Sequence, residues 1–311
     1  MINPELAAAM LYPAATSTRH AGPIPTVVPT PTHYQLISET GKRTLWVGFA
    51  LMTLTAGIFS LLSWNVPLSK RVYHVVATLA AVVSALAYFA AATGQTSSLA
   101  CHPVRDHHEH VPDTWHDACR QVFWARYIDW FFSTPLVLLN LCLLGGVSGA
   151  HTLAAIVANA VLVVAGWAAA YGTYTGASTG GDSHQKMAIW GWFAIACVAY
   201  LVVVWHVGLH GTNAVRNKGA RLIKIWTPMA VYVLVVWAAY AVVWAIAPLS
   251  HKGSVDTEVI TYLVLDILAK SVFGFWLLIT HRAVAESAID LSGYWSQGLA
   301  AEGRIRIGED E

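Results

Sequence analysis

Apolar residues run along this chain in seven blocks, at 45–64, 72–92, 122–144, 152–171, 187–205, 225–247 and 259–279. Each is close to the ~20 residues that carry an α-helix across bilayer hydrocarbon and well beyond the ~10 of a barrel strand. The pattern predicts an all-α membrane protein with a seven-transmembrane-helix bundle, because only helices and closed barrels satisfy their backbone groups in lipid. The first 40 residues are rich in Pro, Thr and Ala, lack the basic start and apolar stretch of a cleavable signal, and read as a flexible tail. The seven spans then occupy 41–282. Residues 283–311, ending Gly308-Glu-Asp-Glu311, read as a second tail or a short surface helix.

Composition strengthens this reading. Charged residues are 11% of the chain and hydrophobic ones 56%, with mean hydropathy +0.54. A soluble domain carries roughly 25% charged residues, so disorder, a nucleic-acid-binding surface and an ordinary cytosolic enzyme are all disfavoured. Four cysteines make no disulfide framework; Cys142 and Cys197 sit in apolar runs, while Cys101 and Cys119 share one loop and are either bonded or free. Basic residues favour the loops after the first and fifth spans, through Lys70, Arg71, Arg216, Lys218, Arg221 and Lys224. The acids Asp106, Glu109, Asp113, Asp117, Asp182, Asp256 and Glu258 all fall on the opposite side. The N-terminus is therefore expected outside and the C-terminus in the cytoplasm.

Four formal charges interrupt the spans: Arg126 and Asp129 in the third, Asp266 and Lys270 in the seventh. Each costs about 2.5–3.5 kcal/mol at the bilayer centre unless neutralised. The i,i+3 and i,i+4 spacings put each pair on one helix face. A network tying two helices together and a functional centre are both open on these grounds. Lys270 adds weight to the second, since it lies mid-span, too deep to snorkel, and a buried lysine is the residue that forms a Schiff base with an aldehyde. Trp237, Tyr240 and Trp244 form one stripe that, with Tyr88, Tyr127 and Trp130, suits a flat conjugated ligand.

The stretches Arg126-Tyr-Ile-Asp129-Trp-Phe-Phe-Ser133-Thr134-Pro135 and Leu265-Asp266-Ile-Leu-Ala-Lys270, with Trp237-Ala-Ala-Tyr240 between them, resemble the microbial (type I) rhodopsins. His108-Glu-His-Val-Pro-Asp-Thr114 and Ile305-Arg-Ile-Gly-Glu-Asp310 look like the fungal, bacteriorhodopsin-like branch. The resemblance implies all-trans retinal on Lys270 as a protonated Schiff base, Asp129 as primary counterion and proton acceptor, and Asp266 as second counterion. It makes Arg126 the switch that moves outward once Asp129 is protonated, and Glu258 an outer proton-release carboxylate. Tyr88, Trp130, Thr134, Leu162, Gly166, Trp237 and Tyr240 would enclose the polyene. Protons and membrane lipid are the further partners implied, in the plasma membrane, with a homo-oligomer and a signalling partner left open.

Three residues depart from the family pattern. Ser133 replaces a threonine with little expected change; Ala241 replaces a proline that kinks the sixth helix; Asn140 stands where pumps place the acid that donates a proton from the cytoplasmic side. Asn140 is eleven residues beyond Asp129, about 16 Å along the helix and on nearly the same face. An amide cannot release a proton, so His74, His206, His210 and bulk water are the remaining sources. The resulting expectation is light-driven outward proton translocation with slow reprotonation. The alternative is a photosensor that signals to a partner without net pumping. A light-gated channel ranks third, because the first two spans lack rows of Glu. No enzyme is expected, and no metal site, because the histidines at 102, 107, 108, 110 and 116 are irregularly spaced among acids and read as a solvated extracellular loop.

Overall fold

A computed structural model describes residues 30–108, 113–172, 182–249 and 253–283. Among them are seven helices long and apolar enough to cross a membrane, each overlapping one of the expected spans. They comprise α1 (Glu39–Leu62), α2 (Leu68–Ala92), α3 (Ala125–Gly145) and α4 (Gly149–Gly172), then α5 (Asp182–Val204) running through a π-helical stretch, Trp205–Gly211, into α6 (Thr212–Lys218). The sixth span is α7 (Ala220–Trp244) with π-helical Ala245–Leu249; the seventh is α8 (Val255–Asp266), π-helical Ile267–Val272 and α9 (Phe273–Thr280).

Local chemistry sets the ends. Ser38 and Ser254 are N-caps whose hydroxyls accept from the Thr40 and Thr257 amides, the usual way to satisfy amides left without a partner in the first turn. Gly146, at φ 65°, closes α3 in the left-handed conformation that glycine adopts without steric cost. Gly219, at φ 140°, is the whole link between α6 and α7.

Several boundaries differ from the pattern-based expectation. The fifth span continues to Lys218, because His206, His210, Thr212 and Asn213 end the apolar run without ending the helix, so Arg216 and Lys218 cap a helix end. Lys70 and Arg71 likewise lie in the first turn of α2. Val122 and Phe123 belong to a strand, since the third helix begins only at Ala125. The segment expected as tail up to residue 40 is ordered at its end, where β1 (His33–Gln35) and the start of α1 lie; residues 1–29 and 284–311 fall outside the described residues.

The loop between α2 and α3 is a β-hairpin of β2 (Ser97–Asp106) and β3 (Thr114–Phe123), with β1 parallel to the outer edge of β3. Cys101 and Cys119 are cross-strand partners and form a disulfide, which resolves the open question of their state. The hairpin histidines are engaged locally: His116 Nδ1 lies 2.9 Å from Asp106 and His107 Nδ1 3.1 Å from Asp113, and His108 Nε2 lies 3.1 Å from the Thr114 hydroxyl. The backbone N–H of His108, then His107 and Arg105, hold the Asp113 carboxyl down to about 2, so this tip stays ion-paired at every ordinary pH. His110 lies outside the described residues.

The third and seventh spans are the most enclosed, 56% of each central window being buried against 17% for the fifth. Charges that cannot face lipid are thus carried by the two helices that lipid touches least.

Candidate functional site

Lys270 sits within the π-helical stretch of the seventh span, a wide turn of the kind often found at functional positions. It is 3% exposed. Its Nζ donates to Asp129 Oδ2 at 2.6 Å and to Asp266 Oδ1 at 2.9 Å, one carboxylate from across the bundle and one from its own helix. Two anions around one buried ammonium meet the electrostatic need that burial creates, leaving one negative charge for a further cation to offset.

The two carboxylates are held differently. Asp266 also accepts from Tyr88 Oη at 2.6 Å, Tyr240 Oη at 2.7 Å and Trp130 Nε1 at 3.3 Å. Asp129 accepts, besides Lys270, only from Ser84 Oγ at 2.6 Å among the described residues. Asp266 thus accepts from four donors and Asp129 from two, so of about four lone-pair positions on a carboxylate Asp129 has more left to take a proton.

Arg126 does not pair with Asp129, contrary to what the i,i+3 spacing suggests. Its guanidinium reaches outward to Glu258 and lies over the Tyr262 ring, 4.2 Å from the centroid. A hairpin residue makes this possible: Arg120, 1% exposed, donates to Glu258 Oε2 at 2.7 Å, to the Gly253 carbonyl at 3.0 Å and to Gln35 at 2.5 Å. Glu258 is buried at the first turn of α8 between two arginines rather than solvated. Between the inner and outer clusters a water-sized cavity of about 20 Å³ touches Arg126, Asp129 and Asp266.

A larger cavity of about 250 Å³ opens among the third to sixth spans. Trp130, Thr134, Leu162, Gly166, Trp237 and Tyr240 all line it, and its remaining walls are almost wholly apolar. Its inner end is one side-chain layer from the amine, because Trp130 and Tyr240 both hydrogen-bond the carboxylate that Lys270 contacts. Tyr88 does not line this cavity; it packs over Gly48, where a Cβ would meet its ring at 2.6 Å, and serves Asp266. An apolar, aromatic-walled space one side-chain layer from a buried primary amine fits retinal, which needs an amine at one end and flat apolar walls along its length.

Eleven residues beyond Asp129 in α3, Asn140 is 2% exposed and donates from Nδ2 to the Tyr73 carbonyl at 3.3 Å. His74, fully buried beside Tyr73 in the chain, has its ring 5.1 Å from that of His281.

Sequence reasoning missed Arg120, Ser84 and Asn159, whose Nδ2 donates to the Thr134 hydroxyl at 2.6 Å. Ser84 and Asn159 are lone polar residues within apolar spans, a visible but unspecific signal. Arg120 lies in a polar hairpin, where nothing local marks a buried cation.

The family model described as bacteriorhodopsin-like protein matches residues 40–284. Opsin-1 of Neurospora crassa is 56% identical over 100% of both chains. Among solved structures, the light-driven proton pump LR (Mac) of Leptosphaeria maculans is 44% identical, with TM-score 0.76 over 82% of this chain and 99% of that one. The light-driven proton pump CsR of Coccomyxa subellipsoidea is 30% identical, with TM-score 0.68 over 80% and 100%.

Proposed function

This chain belongs to the bacteriorhodopsin-like family of retinal-binding microbial rhodopsins, a photoprotein and not an enzyme, and from that premise we propose that it moves protons outward in the light. Retinal joined to Lys270 supplies a light-triggered change in shape and in proton affinity at that nitrogen. The observation that carries the reading is the asymmetry about Lys270. On the outward side a carboxylate with room for a proton is followed by Arg126, Glu258 and Arg120; on the inward side stands the amide of Asn140. LR (Mac) and CsR, both light-driven proton pumps, support the reading as proton transport.

Asp129 receives the proton from the Lys270 nitrogen, 2.6 Å away, while Ser84 fixes its other oxygen. Asp266, which accepts from four donors, holds the amine end in register. The proton held on Asp129 then leaves outward past Arg126 and Glu258, which stay paired with each other. The return proton comes from the cytoplasm, and Asn140 makes its arrival slow.

The proposed membrane domain covers 41–282, with β1 and the start of α1 just before it, the N-terminus outside and the plasma membrane as site, supported by the basic ends of the second and fifth spans. The test is steady illumination of cells bearing the pigment. Pumping predicts external acidification that a protonophore abolishes and that Asp129→Asn removes while a visible absorption band remains. A pigment that cycles in light without moving external pH would favour the sensor.

A further inference from the structure

At the cytoplasmic end of the fourth and fifth spans, His151, His206 and His210 come together with one ligand nitrogen from each, all within 4.8 Å of one another. His151 lies in the first turn of α4; His206 and His210 lie in the π-helical stretch, four residues apart. The i,i+4 spacing lets two imidazoles on one helix face share an ion, and the third arrives from the neighbouring helix. We propose that these three histidines form a binding site for a divalent transition-metal ion of the zinc class, with the fourth position left to water.

Three features carry this. First, His151 Nδ1 and His206 Nδ1 are 3.0 Å apart, close to the ~3.3 Å edge of a tetrahedron built with 2.0–2.1 Å zinc–nitrogen bonds. Second, His210 Nε2 accepts from the Trp205 indole at 3.1 Å, which marks that nitrogen as the unprotonated one, and an ion there would replace this bond. Trp205 is itself 57% exposed and can move aside. Third, no carboxylate belongs to the group, and an all-imidazole set suits zinc, copper or nickel rather than calcium or magnesium. All three rings are partly exposed, which gives an ion a path in. The His151 and His210 rings stack, with centroids 3.9 Å apart at 15°, so binding turns one ring about χ2 to aim both nitrogens at one point. These are distinct from His107, His108 and His116 of the hairpin, which lie at the opposite end of the bundle and are occupied by Asp113, Thr114 and Asp106.

The full chain loaded with retinal, free of any histidine tag, is titrated with Zn²⁺ at neutral pH by calorimetry. The expected result is one ion per protein at micromolar affinity, removed by EDTA. His206→Ala and His210→Ala should each weaken binding at least about tenfold. A double His107→Ala/His116→Ala variant should leave it unchanged. The visible band reports whether each variant is folded. Should one fail to fold, carbethoxylation of the unaltered protein followed by mass spectrometry reads the same site: Zn²⁺ should protect His151, His206 and His210 and spare none of the hairpin histidines from reagent. Absence of saturable binding, binding lost only in the hairpin variant, or equal labelling with and without Zn²⁺ would each overturn the proposal.

Discussion

Lys270 is one of two basic residues inside the apolar spans and the one flanked by two carboxylates, at 2.6 and 2.9 Å. Lys270→Ala protein supplied with retinal is expected to show no visible band beyond that of free retinal. A red-shifted, covalently trapped pigment in that variant would assign the chromophore elsewhere. At Asn140 the structure adds a reason to expect that a donor can be restored. Its Nδ2 donates to the Tyr73 carbonyl, a bond that a protonated carboxyl could keep and an ionised one could not. Asn140→Asp should therefore shorten the slow phase of the light cycle and flatten its pH dependence. In the unaltered protein that phase should slow about tenfold per pH unit if capture from bulk water limits it, since the proton concentration falls tenfold. Flash photolysis from neutral to alkaline pH distinguishes the two; a fast, pH-independent phase in the unaltered protein would show that another group already acts as donor.

At the scale of elements, the hairpin between α2 and α3 acts as part of the site. It delivers Arg120 to Glu258, pinned from behind by Gln35 of β1 and the Gly253 carbonyl. Arg120→Gln removes one cation from a buried carboxylate that keeps the other, Arg126, so the cost should fall at the low end of the range for broken buried pairs, about 3 kcal/mol. Thermal bleaching in the dark measures it, and an unchanged midpoint would mean that Arg126 alone neutralises Glu258. At the other end of the bundle, the third, fifth and sixth spans meet around Trp226, fully buried, whose indole donates to the Leu141 carbonyl at 2.8 Å. A Cβ at Gly145 would lie 2.6 Å from that ring and one at Gly211 2.5 Å from it. Gly211→Ala should thus destabilise by about 1–3 kcal/mol through overpacking, read from the same bleaching midpoint.

For the whole molecule, orientation and transport are linked, because the outer cluster of Arg126, Glu258 and Arg120 must face the side to which protons leave. An epitope appended at the N-terminus should be reached by antibody on intact cells, and one at the C-terminus only after permeabilisation. The reverse labelling would turn the same asymmetry into inward transport. The bundle also explains how four charges survive in an apolar solvent. The third and seventh spans lie deepest, so lipid contact falls to helices such as the fifth, with Val198 and Leu201 more than 60% exposed.

Seven apolar runs of bilayer length and four charges at helical spacing were enough to determine the class, the number of helices and the placing of Asp266 and Lys270 on one helix face. These depend on period, length and charge balance, which are local properties of the chain. Tertiary structure alone decided how the charges pair. Arg126 turns to Glu258 because the fold brings a residue 132 positions away into reach and a second arginine with it, whereas the i,i+3 neighbour Asp129 is taken by Lys270. The hairpin and the long fifth helix were hidden for a related reason. Histidines and charges interrupt both patterns, and whether such residues face water or one another depends on partners that folding brings from far along the chain.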